Sequence, residues 1–425
     1  MEKIHSLSGM LDLISHKTQK EDIANRIFHT EEILRNIFES YSFSEIRTPA
    51  LESSSLFKRS VGDTSDIVNK ELYSFFDKNE KSITLRPEGT ASVIRSIVQK
   101  KIENEKHKLW YLGPMWRYER PQKGRYRQFY QAGIEILGYP EGLAELEIVS
   151  IICAINKVLE LENTVIKINH LGNNKTKHNY CEALKEFLVP LSSKLDDKDL
   201  ERLNKNPLRI LDSKSADTQE ILKDGPKIID YLSDSALNTL NIIKDTFSGD
   251  CDIEIDPNLV RGLDYYTGFV FEAVSSSLGA QDAYIGGGRY DELCKQLGGK
   301  DLPAIGMAIG IERLASLAKT YKESKTLISF IILSSNIEPK AYKIAHKLRS
   351  LNNSIDIDVQ LSDGSLKSKL RRANKDNAAY ALILGEDELK SKNITTRKPQ
   401  RRHVFVFKIL HPIWRPYWVF NLYFF

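Results

Sequence analysis

Four short stretches of this chain combine residue types that bind charged ligands. In TLRPEGTA, residues 84–91, a Pro-Glu-Gly turn follows a strand-like run. Such a turn can aim the Glu88 carboxylate at an ammonium group and add a hydrogen bond from Thr90; an ordinary surface turn fits the same residues. The second stretch, residues 109–138, has two aromatic-rich, strand-like runs around a loop of Pro, Gly, Lys and Arg, the pattern of an antiparallel hairpin with a basic tip. Arg117 follows Trp116 in an apolar run, where a guanidinium is costly unless it meets an anion. Its planar fork suits phosphate. Gln131 and Glu135 lie four apart, so they share one face of a strand. Buried, Glu135 suits an ammonium or imidazole ligand; exposed, it is an ordinary surface charge.

The third stretch, VRGLDYYTGFVFEA (260–273), crowds Arg261, Asp264, Tyr265 and Tyr266 ahead of a Thr-Gly turn, an unusual load for a core strand. The fourth is GGGRYDEL followed by GMAIGIERL, with Tyr290 in the first and Arg313 in the second. The triple glycine predicts close approach of backbone to a ligand. GMAIGIE suits a strand packed under a nucleotide, although its glycine spacing is not a dinucleotide-binding fingerprint.

These residues need elements to position them. Apolar Ile23, Ile27, Ile33, Leu34 and Phe38 recur at helical spacing, and EIRTPALE reads as a strand that meets Pro49. LYSFFD and SITLRP form a strand pair around the turn DKNEK, and residues 91–101 and 144–162 are expected to be helical. Residues 172–250 are polar, helix-rich and without dense motifs, like an inserted module. Residues 258–274 and 281–290 return to strand patterns, and IGMAIGIERLASLAKTY reads as a strand entering a helix. From about residue 325 a βαβαβ succession predicts a small α/β domain with its own sheet.

Composition bounds the possibilities. Of 425 residues, 41% are hydrophobic and 28% charged, which excludes a mainly disordered or collagen-like chain. The four cysteines are scattered, with no CxxC pair, which argues against a disulfide framework or a structural zinc site. The first residues carry charges throughout and no long apolar run, so a cytoplasmic protein is expected. The net charge of +4 is uneven: residues 396–425 hold six Lys/Arg and no Asp/Glu, and the remainder has 55 basic against 57 acidic residues. Nucleic-acid binding would therefore rest on local basic patches. Nine of those last 30 residues are aromatic, but Lys408, Pro412, Arg415 and Pro416 interrupt them well short of a membrane span.

Order and combination decide more than any single motif. From about residue 5 to 395 the chain resembles histidyl-tRNA synthetases, a family of class II aminoacyl-tRNA synthetases. Motif 1 resembles the helix and strand ending at Pro49, motif 2 MWRYE through RQFYQAGIE, and motif 3 GMAIGIERL. RGLDYYTG and GGGRYD resemble the family's two histidine motifs. RGLDYY together with PEGTA and RPQKGRYRQF is a specific set.

The resemblance implies an α+β fold, an antiparallel sheet flanked by helices, with a helical insertion and a C-terminal α/β anticodon-binding domain. The implied division is a catalytic core at 1–171 and 251–322, the insertion at 172–250, the anticodon-binding domain at 325–395 and an atypical basic, aromatic tail at 396–425. Motif 1 would form a homodimer interface. The implied activity is ATP-dependent activation of L-histidine to the adenylate, then transfer to the 3′ end of tRNA-His. Histidine binding would fall to Glu88, Gly89, Thr90, Gln131, Glu135, Tyr265, Tyr266 and Tyr290, with Arg117 and Arg261. ATP would be held by Arg117, Glu119, Arg125, Phe129 and Arg313, with Phe129 and Arg313 on the two adenine faces. Arg117, Arg261 and Arg313 would be the catalytic cations, with Mg²⁺ on the departing pyrophosphate and no protein nucleophile. Arg120 and Gln122 would face the tRNA acceptor end; the insertion would clamp the acceptor stem, and the C-terminal domain would read the anticodon.

The chain departs from the family pattern twice. Leu143-Ala144-Glu145 stands where relatives usually carry Asp-Ala-Glu, with a modest local effect expected. Beyond Thr395 the residues turn basic and aromatic, from a shifted reading frame or a lineage-specific tail. The rival function is a non-catalytic, histidine-binding regulatory paralogue serving ATP phosphoribosyltransferase. Such proteins usually lack the C-terminal domain and lose parts of RGLDYY or the motif arginines, whereas Arg117, Arg261, Arg313 and most of that domain are kept here.

Overall fold

The computed structural model describes residues 3–15, 22–62, 65, 67–122, 124–263, 265–279, 282–320, 325–351, 354–361, 363–391, 393–398 and 404–408. They divide into two compact units, residues 1–14 with 23–321 and residues 15–22 with 322–425.

The first unit opens with helix α1 (Ile23–Ser40), strands β1 (Ser44–Glu45) and β2 (Leu51–Ser53) and helix α2 (Ser54–Val61). The strand expected across EIRTPALE is thus two short ones, broken where proline removes a ladder N–H. Next come β3 (Ser74–Phe76), β4 (Ser82–Leu85), α3 (Thr90–Lys100), β5 (His107–Trp116), β6 (Gln128–Leu137), α4 (Leu143–Val158) and β7 (Thr164–His170). Residues 174–246 add α5 (Asn174–Leu188), α6 (Asp197–Lys205), α7 (Ala216–Lys223) and α8 (Asp234–Thr246) and no strand. Each of these four helices starts on a side chain, Asn173, Asp196, Ser215 or Ser233, that accepts an otherwise unpaired backbone N–H. The unit closes with β8 (Ile253–Ile255), β9 (Phe269–Ser275), β10 (Ala283–Arg289), α9 (Leu293–Gln296), β11 (Ala304–Gly310) and α10 (Ile311–Leu317).

Its main sheet has eight strands in the order β1-β5-β6-β11-β10-β9-β7-β8. The inner pairs are antiparallel, and the two end pairs, β1 with β5 and β7 with β8, are parallel. The pleat sorts its residues. On β6, Ala132, Ile134 and Ile136 pack into a core with Leu34 and Phe38 of α1 and Ile148 and Ile152 of α4. Gln131, Gly133 and Glu135 point to the opposite face. On that face the neighbouring strands offer Gly306, Ala308 and Gly310 from β11, Gly286 from β10 and Glu272 from β9. Small residues there leave a hollow.

The second unit is a five-stranded sheet in the order β13-β12-β14-β15-β16: β12 (Thr326–Ile332), β13 (Ile355–Val359), β14 (Tyr380–Leu384), β15 (Asn393–Arg397) and β16 (Val404–Lys408). Helix α11 (Glu338–Leu351) covers one face through Ala341 and Ala345, packed with Ile328, Phe330 and Ile332. Helix α12 (Leu366–Lys375) covers the other through Ala373, packed with Ile331 and Ile383. Helix α13 (Glu386–Ser391) leads into β15, and β16 pairs antiparallel with β15. Apart from these strand residues, most of the basic, aromatic segment lies outside the described residues.

Candidate active site

The hollow is a cavity of about 220 Å³. Twelve of the sequence-derived residues line it: Glu88, Thr90, Arg117, Glu119, Arg125, Phe129, Gln131, Arg261, Tyr265, Tyr266, Tyr290 and Arg313. Segments more than 200 residues apart in the chain therefore meet at one surface. Asp264 lies outside the described residues.

One end is built of acids and tyrosines. Both Glu88 oxygens are engaged at the start of α3, accepting from the backbone N–H of Thr90 (2.6 Å) and of Ala91 (3.0 Å). An acid there satisfies free helix N–H groups and complements the helix dipole. Burial raises the Glu88 pKa, against those hydrogen bonds and the nearby Arg117. Glu135 is fully buried and lies behind the cavity wall. It accepts from Thr90 Oγ1 at 2.7 Å and from the Tyr290 hydroxyl. Burial pushes its pKa up to about 8, with the charge of Glu88 adding to the rise. Register explains its place: β6 and β11 pair Glu135 with Gly306, and a Cβ on Gly306 would sit 1.8 Å from Glu135 Oε2. Buried Gln131, on the cavity wall, keeps an Oε1 with no hydrogen-bond partner.

The other end is built of arginines. Arg117 sits just past β5 rather than within it; its Nε donates to Pro87 O at 2.9 Å and its guanidinium lies 5.2 Å from the Phe129 ring centre. Arg125 pairs with Glu119 at 3.0 Å. Arg313 donates to the carbonyls of Gly124 (3.1 Å) and Ala283 (2.8 Å). Arg261 contacts Glu272 of β9. The closeness expected at the triple glycine is used internally: a Cβ on Gly286 would lie 2.1 Å from Arg261 Nη2, so the glycine admits the protein's own guanidinium. Arg120 and Gln122 lie outside the cavity, exposed on the hairpin turn that Gln122 and Arg125 close by paired backbone bonds. Gly89 does not line the cavity; the Tyr111 ring occupies the space where its Cβ would be.

Three residues of this region escaped the motif reading. Tyr111 of β5 lies under the acidic end, its ring also against Gly133. Glu312 accepts from the Tyr130 N–H at 2.9 Å, and burial pushes its pKa up to about 7. Glu272 was detectable by the rule that singled out Arg117, a charge inside an apolar run. Outside the cavity, the buried Arg289 of GGGRYD pairs with Glu145 and, at 3.1 Å, with Asp291. That accounts for Glu145 within Leu143-Ala144-Glu145, while Leu143 is 82% exposed. Among the described residues, no group of three or more His, Cys, Asp or Glu is arranged to hold a metal, and no helix is long and apolar enough to cross a membrane.

Comparison with known proteins decides the family. The family model described as histidyl-tRNA synthetase matches residues 19–314. The chain belongs to the histidyl-tRNA synthetase family. A second model, an anticodon-binding domain, matches residues 328–406, running into β16. Curated family members are similar over nearly the whole chain: the histidine–tRNA ligase of Francisella philomiragia is 41% identical, covering 92% of each chain. That of Prochlorococcus marinus is 42% identical, covering 94% of this chain and 93% of its own. Among solved structures, the apo histidyl-tRNA synthetase of S. aureus aligns with a TM-score of 0.77 at 29% identity, covering 96% of this chain and 98% of its own. The Nostoc sp. enzyme, at 19% identity and a TM-score of 0.66, shares the fold over 96% of this chain and 97% of its own.

Proposed function

We infer that this chain is a histidine–tRNA ligase that activates L-histidine with ATP and transfers it to tRNA-His. The observation that carries the reading is one cavity with a buried acid-and-tyrosine end and an arginine end. The first suits a small cationic amino acid, the second a triphosphate. Family membership and 41% identity to a curated ligase support it.

The residue roles belong to the same proposal. Gln131 Oε1, with Glu88, Thr90 and the tyrosines, receives the histidine ammonium and imidazole; Glu135 acts from behind through Thr90 and Tyr290. Arg117 and Arg261 straddle the α-phosphate. A histidine carboxylate oxygen attacks that phosphorus in line, the bond to the bridging oxygen breaks, and pyrophosphate leaves. Fixed guanidiniums stabilise charge growing on the phosphoryl oxygens. Phe129 and Arg313 take the adenine, Glu119 reads its edge and Arg125 meets the distal phosphates. ATP would enter as its Mg²⁺ complex, the ion neutralising charge on the departing pyrophosphate. In the second step the terminal adenosine hydroxyl of tRNA attacks the acyl carbon of the adenylate, the bond from that carbon to the phosphate oxygen breaks, AMP leaves and its phosphate takes up the hydroxyl proton, with exposed Arg120 and Gln122 facing the acceptor end. The helices of residues 172–250 clamp the acceptor stem, and the anticodon-binding domain reads the anticodon. The working form is a cytoplasmic homodimer paired through motif 1. Arg117, Arg261 and Arg313 together at one cavity favour the ligase over a regulatory paralogue.

The test is histidine-dependent ATP–pyrophosphate exchange beside charging of tRNA-His. Both activities are expected. A folded chain that binds histidine, exchanges no pyrophosphate and stimulates an ATP phosphoribosyltransferase would overturn the reading.

A further inference from the structure

The roles above leave two cavity carboxylates unused, Glu312, which already accepts the Tyr130 N–H, and Glu272. Glu272 interrupts β9, whose other six residues are buried. A carboxylate in such a strand needs a partner. Two neighbouring strands could supply one. On β7 the residue opposite is Lys167, but its ammonium pairs with Asp256 at 3.2 Å. On β10 the residue opposite is Gly286, which has no side chain, and the Arg261 guanidinium occupies that space. Arg261 Nη1 contacts Glu272 Oε1.

Arg261 comes from a segment with no helix or strand, so its own backbone does little to fix the guanidinium. Its side chain is only 19% exposed. A guanidinium carries five N–H groups. Glu272 takes one on Nη1, and the buried Nε has no hydrogen-bond partner, leaving donor capacity for an incoming anion. Burial alone would lower the Arg261 pKa; the carboxylate of Glu272, with Tyr266, holds it above its ordinary value.

We infer that Glu272 is a positioning residue for adenylate formation, holding Arg261 against the sheet before substrates arrive. This rests on the ligase reading and on the role given to Arg261. Arg261 is then ordered during folding rather than during the reaction, which is how a fixed cation stabilises a transition state most effectively.

The test is pyrophosphate exchange on the full chain with Glu272→Ala, Glu272→Gln, Arg261→Ala and the double Ala variant, with histidine binding measured by calorimetry as the check of folding. Glu272→Ala is expected to lower kcat about 10- to 100-fold, the scale on which outer partners of metal-site ligands act. Histidine KM should stay within about threefold, because the loss is confined to the transition state. Glu272→Gln keeps an oxygen for Nη1 and should recover most of the rate. The double variant should be no slower than Arg261→Ala alone, since Glu272 acts through Arg261. Wild-type kcat in Glu272→Ala, or independent losses that multiply in the double variant, would overturn the proposal and leave Arg261 standing. So would a loss rescued by raised Mg²⁺, which would make Glu272 a metal ligand. A wild-type rate in Arg261→Ala would remove Arg261's role first, and this one with it.

Discussion

The two ends of the cavity solve different problems with different materials. At the acidic end, Glu88, Thr90, Glu135, Tyr265 and Tyr290 are all buried, and both carboxylates are already bonded to protein N–H or O–H groups. At the other end Arg117, Glu119, Phe129 and Arg313 are partly open, Arg125 is exposed, and the cations rest on carbonyls, a ring or an acid. A sealed site whose carboxylates are already bonded discriminates by shape and by the penalty of unpaired polar groups. An open cationic site attracts and orients a large anion and tolerates exchange of partners. On the roles proposed above, the contrast separates selectivity for the amino acid, in the sealed end, from catalysis, in the arginine end.

That division breaks first at Arg261. Arg261→Ala should cost about 3–4 kcal/mol of transition-state stabilisation, the scale of a lost oxyanion donor, while histidine binding by calorimetry changes little. Unchanged pyrophosphate exchange would merge the two ends into one undivided site. Gly306→Ala probes the sealed end, because the new methyl would collide with Glu135 Oε2. A destabilisation of about 1–3 kcal/mol is expected from overpacking, together with weaker histidine binding. A variant with normal melting and normal histidine KM would show that the end is not sealed.

Acidity sharpens the contrast. Glu135 has a folded pKa near 8, above its value in an unfolded chain, so the folded form binds more protons between those values. Its contribution to the stability of the ligand-free protein is therefore greatest below the ordinary carboxylate range, falls as pH rises and levels off above about 8. Denaturant unfolding at pH 6 and pH 9 should differ in that direction, and Glu135→Gln should flatten the difference. Equal slopes in the two proteins would mean that the carboxylate is solvated.

Smaller effects belong to the rim and beyond. Arg125→Ala removes an exposed cation proposed to meet the distal phosphates; a contact between exposed charges is worth about 0–1 kcal/mol, so the KM for ATP should rise about fivefold at most. Leu143→Asp puts an acid in the exposed first turn of α4 and should stabilise by about 0.3–1 kcal/mol in denaturant titration. Destabilisation would assign Leu143 a packing role that its exposure denies.

Much of this organisation was legible in the sequence, for a physical reason. Helical and strand periodicities are local, so the basic-tipped hairpin and the βαβαβ unit follow from residue order. Charges in apolar runs pointed to Arg117 and to RGLDYY. What stayed hidden depends on register between distant strands. Nothing near Gly286 indicates that Arg261 fills its Cβ space, and nothing near Gly306 indicates Glu135. Glu88 read as an ammonium ligand or as part of an ordinary turn; that both its oxygens also cap α3 depends on where the helix begins. Tyr111 looked like any aromatic strand residue, because only its contacts with Gly89 and Gly133 distinguish it.

Helix α3 gives the sealed end a mechanical connection. Its first residue, Thr90, is bonded to Glu135, and one turn on, Arg95 grips Glu52 of β2 in the separate three-stranded sheet β2-β4-β3. The helix is thus a strut bolted at both points. The two contacts link the Glu135 carboxylate, through one helix, to a sheet that lines none of the cavity. The amide protons of Thr90 and Ala91, held by Glu88, mark the cavity end of that link, and their exchange rates would report on it.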